Sequence, residues 1–200
     1  MSYFCLNFSI GYRILSGQVL DYSKLTREDI IQLLLKSVLF DDIDILAINK
    51  SYGMSIHSKD NNSGPVLTQY LPELSERVGT QKLYPVHRLD RDTTGVLLLA
   101  KTQEKAKELN RMFVEKKIVK RYLCITRGVP DEPEGVIDIP IDIGICDGKE
   151  RMVLRPEALE EYKNIIKPSK CAKRAVTQYK VLSEEKNAAL VEVNLFQEFP

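Results

Sequence analysis

The residues best suited to chemistry lie in one stretch, Pro85-Val86-His87-Arg88-Leu89-Asp90-Arg91-Asp92-Thr93-Thr94-Gly95. It carries two carboxylates, an imidazole and two guanidinium groups within six residues, 87–92. It then runs directly into the apolar segment Gly95-Val96-Leu97-Leu98-Leu99-Ala100. A carboxylate delivered to the lip of a buried strand is rigidly held, and there it can serve as nucleophile or general base. The plainer reading of the same residues is a surface turn in which Arg88 pairs with Asp90 and Asp92 or Thr93 makes the bend. On residue types alone that plainer reading prevails. A retaining glycosidase would also use two carboxylates, but Asp90 and Asp92 stand one residue apart in a loop, which gives no reliable opposed geometry.

Other chemistry is harder to assemble. The cysteines Cys5, Cys124, Cys146 and Cys171 form no C-x-x-C pair, and the histidines are His57 and His87 alone. Zinc sites need closer and more regular ligand spacing, so no metal is expected. Reduced thiols in an intracellular compartment are the expectation.

The elements that would position Asp90 can be read from pattern. Thr26 followed by Glu28 and Asp29 is a helix start, and a helix is expected over about 27–38. Residues 43–49 form a β-branched run ending in Lys50-Ser51-Tyr52-Gly53, a strand followed by a turn. Residues 58–65 read as a loop. A short helix is expected to start within 66–71 and to be interrupted or ended by Pro72. Residues 95–100 are apolar on both faces, as in a buried central strand. Thr102 caps an expected helix over about 103–117, with Ala106, Leu109 and Phe113 on its apolar face. Residues 119–126 alternate as a strand. Residues 128–148 hold most of the turn residues. The tail reads as a hairpin, with strands near 175–182 and 188–195.

Strands outnumber helices and the βαβ alternation of a parallel sheet is missing. The fold class is therefore α+β with a mixed, mostly antiparallel sheet and flanking helices. At 200 residues, 44 % hydrophobic and 28 % charged, the chain is long enough for a sizeable core and is unlike a disordered polymer. Its apolar runs, 96–100 and 30–35 with Gln32 inside it, are too short to span a bilayer. A net charge of +1 points to no acidic or nucleic-acid partner by itself, so any basic surface must come from local clustering.

Residues 85–102, PVHRLDRDTTGVLLLAKT, resemble the signature of the RluA family of RNA pseudouridine synthases: H-R-L-D, two variable residues, T-S/T-G, then an apolar strand ending in A-K. Three further blocks agree. Asp44-Ile45-Leu46-Ala47-Ile48-Asn49-Lys50-Ser51-Tyr52-Gly53 is similar to D-x-L-x-V-N-K-P-x-G, with Ser51 in place of proline. Lys120-Arg121-Tyr122-Leu123 resembles a K-x-Y segment, and the tail resembles the hairpin before the last motif. The likeness covers about 40–195. Ile137-Asp138-Ile139-Pro140-Ile141 and Arg151-Met152-Val153-Leu154 look most like the mitochondrial branch.

The resemblance implies an isomerase that cuts the N1–C1′ bond of a uridine in rRNA, tRNA or mRNA, rotates the base and rejoins it through C5, with no cofactor. The family's reacting aspartate falls on Asp90, as nucleophile or base. Tyr122 falls on the tyrosine that stacks on the target base; its plainer reading is a cross-strand packing residue. Arg88 falls beside the flipped nucleotide, since a base reacts only outside its stack. His87 reads as a hydrogen-bonded structural histidine.

RNA contact would come from local charge. Residues 101–121 hold eight basic residues against three acidic, among them Lys116, Lys117, Lys120 and Arg121, and residues 167–174 hold four basic and no acidic. Phosphate binding uses such patches, although each alone fits a solvated face. The family's last motif, T-G-R-x-H-Q-I-R, does not follow residues 191–195, where Phe196-Gln197-Glu198-Phe199-Pro200 stands instead. Its arginine would pair with Asp90, so a C-terminally incomplete catalytic domain over 40–200 is expected, preceded by an N-terminal arm and helix over 1–39. The first twenty residues hold no Asp or Glu and one arginine, Arg13. Mitochondrial matrix is the expected location, with cytoplasm as the alternative, and a monomer the expected state. The competing function is an inactive RNA-binding factor that keeps the fold.

Overall fold

The computed structural model describes residues 20–57, 64–146, 149–155 and 171–197. The chain divides into two compact units, Met1–Val119 and Lys120–Pro200. The expected loop over 58–65 and the first twenty residues fall largely outside the described residues.

The first unit is built on a four-stranded antiparallel sheet in the order β1-β2-β4-β3, from β1 (Val38–Asp41), β2 (Ile45–Lys50), β3 (Tyr84–Pro85) and β4 (Gly95–Ala100). Strands β2 and β4 pair along their whole length, from Ile45 opposite Ala100 to Lys50 opposite Gly95. Helix α1 (Arg27–Lys36) starts where the sequence indicates, and its first turn closes as a capping box. The Asp29 N–H donates to the Thr26 hydroxyl oxygen at 3.2 Å, and the Thr26 N–H donates to the Asp29 carboxylate at 2.9 Å. Helix α1 buries Ile30, Ile31 and Leu34, one stripe of its surface.

Pro72 does the opposite of what its position suggests. A 3-10 turn at Leu67–Gln69 leads into helix α2 (Leu71–Arg77), and Pro72 stands in its first turn. The first N–H groups of a helix have no partner inside it, so a proline there loses nothing and its fixed φ favours the start. Helix α3 (Gln103–Val114) opens at Thr102, whose side chain accepts the Lys105 N–H at 3.1 Å.

The two faces of β4 explain its apolar character. Leu97 and Leu99 join Leu46, Ile48, Ile31, Leu67 and Leu74 in one cluster, between the sheet and helices α1 and α2. Ala100 joins Val86, Ala106 and Leu109 in a second, with Leu98, Met112 and Phe113 packed against it on the α3 side. Alternate residues of the strand thus meet different layers.

The second unit carries a four-stranded antiparallel sheet in the order β5-β10-β9-β6, from β5 (Arg121–Arg127), β6 (Glu134–Asp138), β9 (Ala175–Glu185) and β10 (Ala188–Gln197). A separate hairpin pairs β7 (Ile141–Cys146) with β8 (Lys149–Leu154). The tail hairpin is present and longer than its sequence pattern indicates, turning at Lys186, which takes a φ of +54°. The turn-rich reading of 128–148 is corrected. Ile137, Ile139, Ile141, Ile143 and Ile145 alternate with other residues, and β6 and β7 hold four of them as strands. Pro140, between Ile139 and Ile141, hid this period-two signal by breaking it into two short pieces. The architecture is α+β and mostly antiparallel, as the sequence indicates.

Candidate active site

The Asp90 loop joins β3 to β4 and is held from three sides. Val86 and Leu89 are buried and anchor it to the core below. His87 Nε2 accepts the Leu98 N–H at 2.9 Å, and the ring lies against Phe113 of α3 at 4.9 Å between centroids. Strand β3 pairs with β4 only at Tyr84 opposite Ala100 and Pro85 opposite Leu99. Just beyond that short ladder, the imidazole supplies the acceptor that a longer strand would have supplied. This agrees with His87 as a hydrogen-bonded structural residue.

The third support comes from the turn after β2. The carbonyl of Arg91 accepts the Gly53 N–H at 2.9 Å and the Lys50 ammonium at 3.2 Å. Lys50 Nζ also donates to the carbonyls of Met54 at 2.8 Å and Ser51 at 3.1 Å. An ammonium has three donors, and three backbone acceptors meet them. Lys50 is fully buried. Burial pushes its pKa down from the ordinary 10.5 to about 8, opposed by the charges of Asp92 and Asp90.

Within the loop, the Thr93 N–H donates to the Asp90 carbonyl at 3.1 Å, closing the expected turn. The Asp90 carboxylate lies 3.8 Å from Arg88 Nη2, with side-chain exposures of 82 % and 76 %. At that exposure the pair adds little stability. The rigid support reaches the backbone of 90–91, while the carboxylate itself stands in solvent. The residues that hold the loop lie beneath it, so they enclose its backbone and not the carboxylate. Among the described residues, no three His, Cys, Asp or Glu side chains gather as a metal ion needs.

The remaining expected site residues divide between the units. Lys116 and Lys117 follow the last turn of α3, with Lys116 at φ +55° and Lys117 paired to Glu115 at 2.6 Å. Tyr122 sits on β5 of the second unit, half-buried and opposite Val193 of β10. Lys120 precedes that strand, and Arg121 within it lies 4.0 Å from Glu192. In the second basic stretch, Arg174 pairs with Asp138 at 2.7 Å; residues 167–170 lie outside the described residues. Arg88 and Asp90 are brought together by one loop of the first unit.

Lys50 received no role from the sequence, yet a signal was present. Leu46, Ile48 and Lys50 share one face of β2, so a lysine at the end of that row faces the core.

Over residues 44–197 the chain matches the family described as RNA pseudouridylate synthase, and it belongs to that family. It is 36 % identical over 172 residues to the human protein named pseudouridylate synthase RPUSD4, mitochondrial, covering 80 % of this chain and 44 % of that one. It is 33 % identical over 153 residues to tRNA pseudouridine synthase C of Haemophilus ducreyi, covering 73 % of this chain and 61 % of that one. The chain thus spans about half the length of the RPUSD4 relatives it matches. Among solved structures, human RNA pseudouridylate synthase domain containing 4 superposes with a TM-score of 0.68 at 32 % identity, covering 86 % of this chain and 64 % of that one.

Proposed function

We propose that this chain isomerises uridine to pseudouridine in RNA, with Asp90 as the reacting carboxylate. The observation that carries the reading is the Asp90 loop. Its H-R-L-D sequence lies inside the matched region, and its backbone is fastened by Lys50, Gly53 and His87 while its carboxylate is left accessible. Such an aspartate is oriented but open to a nucleotide, and a flipped base would supply the exclusion of water that the free site lacks.

In the proposed reaction the C1′–N1 bond breaks and a C1′–C5 bond forms. N1 gains a proton and C5 loses one, so the change is an isomerisation without net oxidation. Asp90 acts at the sugar, either on C1′ as nucleophile or as a base. Tyr122 stacks on the freed base, and Arg88 contacts the displaced nucleotide. Lys116, Lys117, Lys120 and Arg121 contact phosphates, with Lys117 exchanging Glu115 for RNA. The substrate class is structured RNA, rRNA, tRNA or mRNA. The names of the RPUSD4 relatives support a mitochondrial location, which imaging of a C-terminal fluorescent fusion tests.

The deciding experiment is pseudouridine mapping on RNA from cells depleted of this protein and rescued with the wild-type or the Asp90→Asn chain. Sites restored by wild type and not by Asp90→Asn support the reading. Restoration by both overturns it.

A further inference from the structure

We infer that Tyr22, which lies ahead of the region matched by the family, is a positioning residue for the Asp90 loop, acting through the turn 51–54. The inference rests on the isomerase reading for its catalytic half and on geometry alone for its structural half.

Tyr22 opens a 3-10 turn, Tyr22–Lys24, capped by Asp21, whose side chain accepts the Ser23 N–H at 3.2 Å. Its ring packs against the main core of the first unit together with Leu25. From there it touches three consecutive residues of the turn. The phenol donates to the Tyr52 carbonyl at 3.2 Å, and the Ser51 side chain is close enough to oppose the upward push of burial on the phenol's pKa. The ring edge lies over Gly53, where an added Cβ would meet Tyr22 Cε2 at 3.3 Å. Gly53 takes a φ of +81°, so both its backbone conformation and the closeness of Tyr22 favour glycine.

Gly53 is the residue whose N–H holds the Arg91 carbonyl, 2.9 Å away and one residue past Asp90. The path from Tyr22 to Asp90 therefore runs through one packed contact and one backbone hydrogen bond. Lys50 and Gly53 grip the same carbonyl oxygen from the two ends of the turn. Lys50 is fixed by the core around it, whereas Gly53 is fixed by what lies on it, and Tyr22 lies on it. The segment 20–25 thus contributes to how the Asp90 loop is held, although it contributes no reacting group.

The test uses the 200-residue chain and its Tyr22→Phe, Tyr22→Leu and Ser51→Ala variants, with Thr26→Ala as a control for helix α1 stability. Amide exchange is read at Gly53 against Leu99 in the core of β4, and kcat and KM for pseudouridine formation are read on RNA. Losing one net hydrogen bond predicts that Tyr22→Phe speeds Gly53 exchange about three- to tenfold relative to Leu99. It predicts a similar fall in kcat with KM held within about twofold, a larger effect for Tyr22→Leu and a smaller one for Ser51→Ala. Thr26→Ala lowers the unfolding midpoint while leaving the Gly53 to Leu99 ratio and kcat unchanged. An unchanged Gly53 ratio in both Tyr22 variants overturns the inference, as does faster exchange with kcat intact. If the unaltered chain forms no pseudouridine, the Gly53 ratio alone decides whether Tyr22 holds the turn.

Discussion

The ammonium of Lys50 and the carbonyl oxygen of Arg91 stand 3.2 Å apart, joining the buried end of β2 to the residue after Asp90. A charged group in a core is costly unless its donors are met, and here three carbonyls meet them. The arrangement fixes a loop at a cost in charge burial, and the three hydrogen bonds offset much of that cost.

Lys50→Met removes all three donors and leaves their carbonyls to find water or go unpaired. At neutral pH the relief of charge burial offsets part of that loss, so a net destabilisation of about 1–3 kcal/mol is expected in urea unfolding. Turnover falls further than stability does, because the Arg91 carbonyl loses one of its two donors.

The pH dependence of stability carries the mark of Lys50. Its folded pKa, about 8, lies below the ordinary 10.5, so between those values the unfolded chain holds more protons than the folded one. Stability from this group therefore rises as pH climbs from about 8 to 10.5, and the cost of burying the charge is fully present below pH 8. Urea midpoints measured across that window rise less steeply in Lys50→Met than in wild type. Equal slopes would mean that Lys50 titrates as it does in an unfolded chain.

Asp90→Asn keeps the shape of the side chain and removes its ability to react. Pseudouridine formation is expected to be lost, while RNA affinity stays within a few-fold, as a filter-binding titration reads. Normal turnover by the variant removes Asp90 from the chemistry.

Replacing Lys116, Lys117, Lys120 and Arg121 together with Gln is expected to weaken RNA binding and flatten its salt dependence. The loss of up to four phosphate contacts lowers the log–log slope by roughly 3, at about 0.7–0.9 per contact. An unchanged slope from low to moderate salt would place these four side chains away from the RNA.

His87→Leu leaves the Leu98 N–H without its imidazole acceptor at the end of the short β3 ladder. The expected cost is about 1–3 kcal/mol in urea unfolding. His87→Gln sets an amide oxygen near the place of Nε2 and recovers most of it. Equal losses in both variants would show that ring packing on Phe113 matters more than the hydrogen bond.

Much of this protein is legible without coordinates. The cap at Thr26, the doubly buried strand 95–100, the apolar face of 103–114 and the tail hairpin follow from local rules of spacing and capping, which act within a few residues. The catalytic-looking loop is legible for a related reason, because an ordered string of unusual residue types survives in one dimension. Pro72 and the isoleucine strands 137–145 misled because proline carries opposite meanings at the start and inside of an element, and only neighbours in space decide which applies. What only the tertiary structure decided is how the Asp90 loop is held. Lys50 is 41 residues from Arg91 and Tyr22 is 30 from Tyr52, and their meeting depends on the pairing of β2 with β4 and on where the chain before α1 comes to rest. Periodicity carries no information about such pairs. Their contacts follow from burial of the shared core, which brings distant backbone groups together and leaves each buried donor and acceptor to find its partner there.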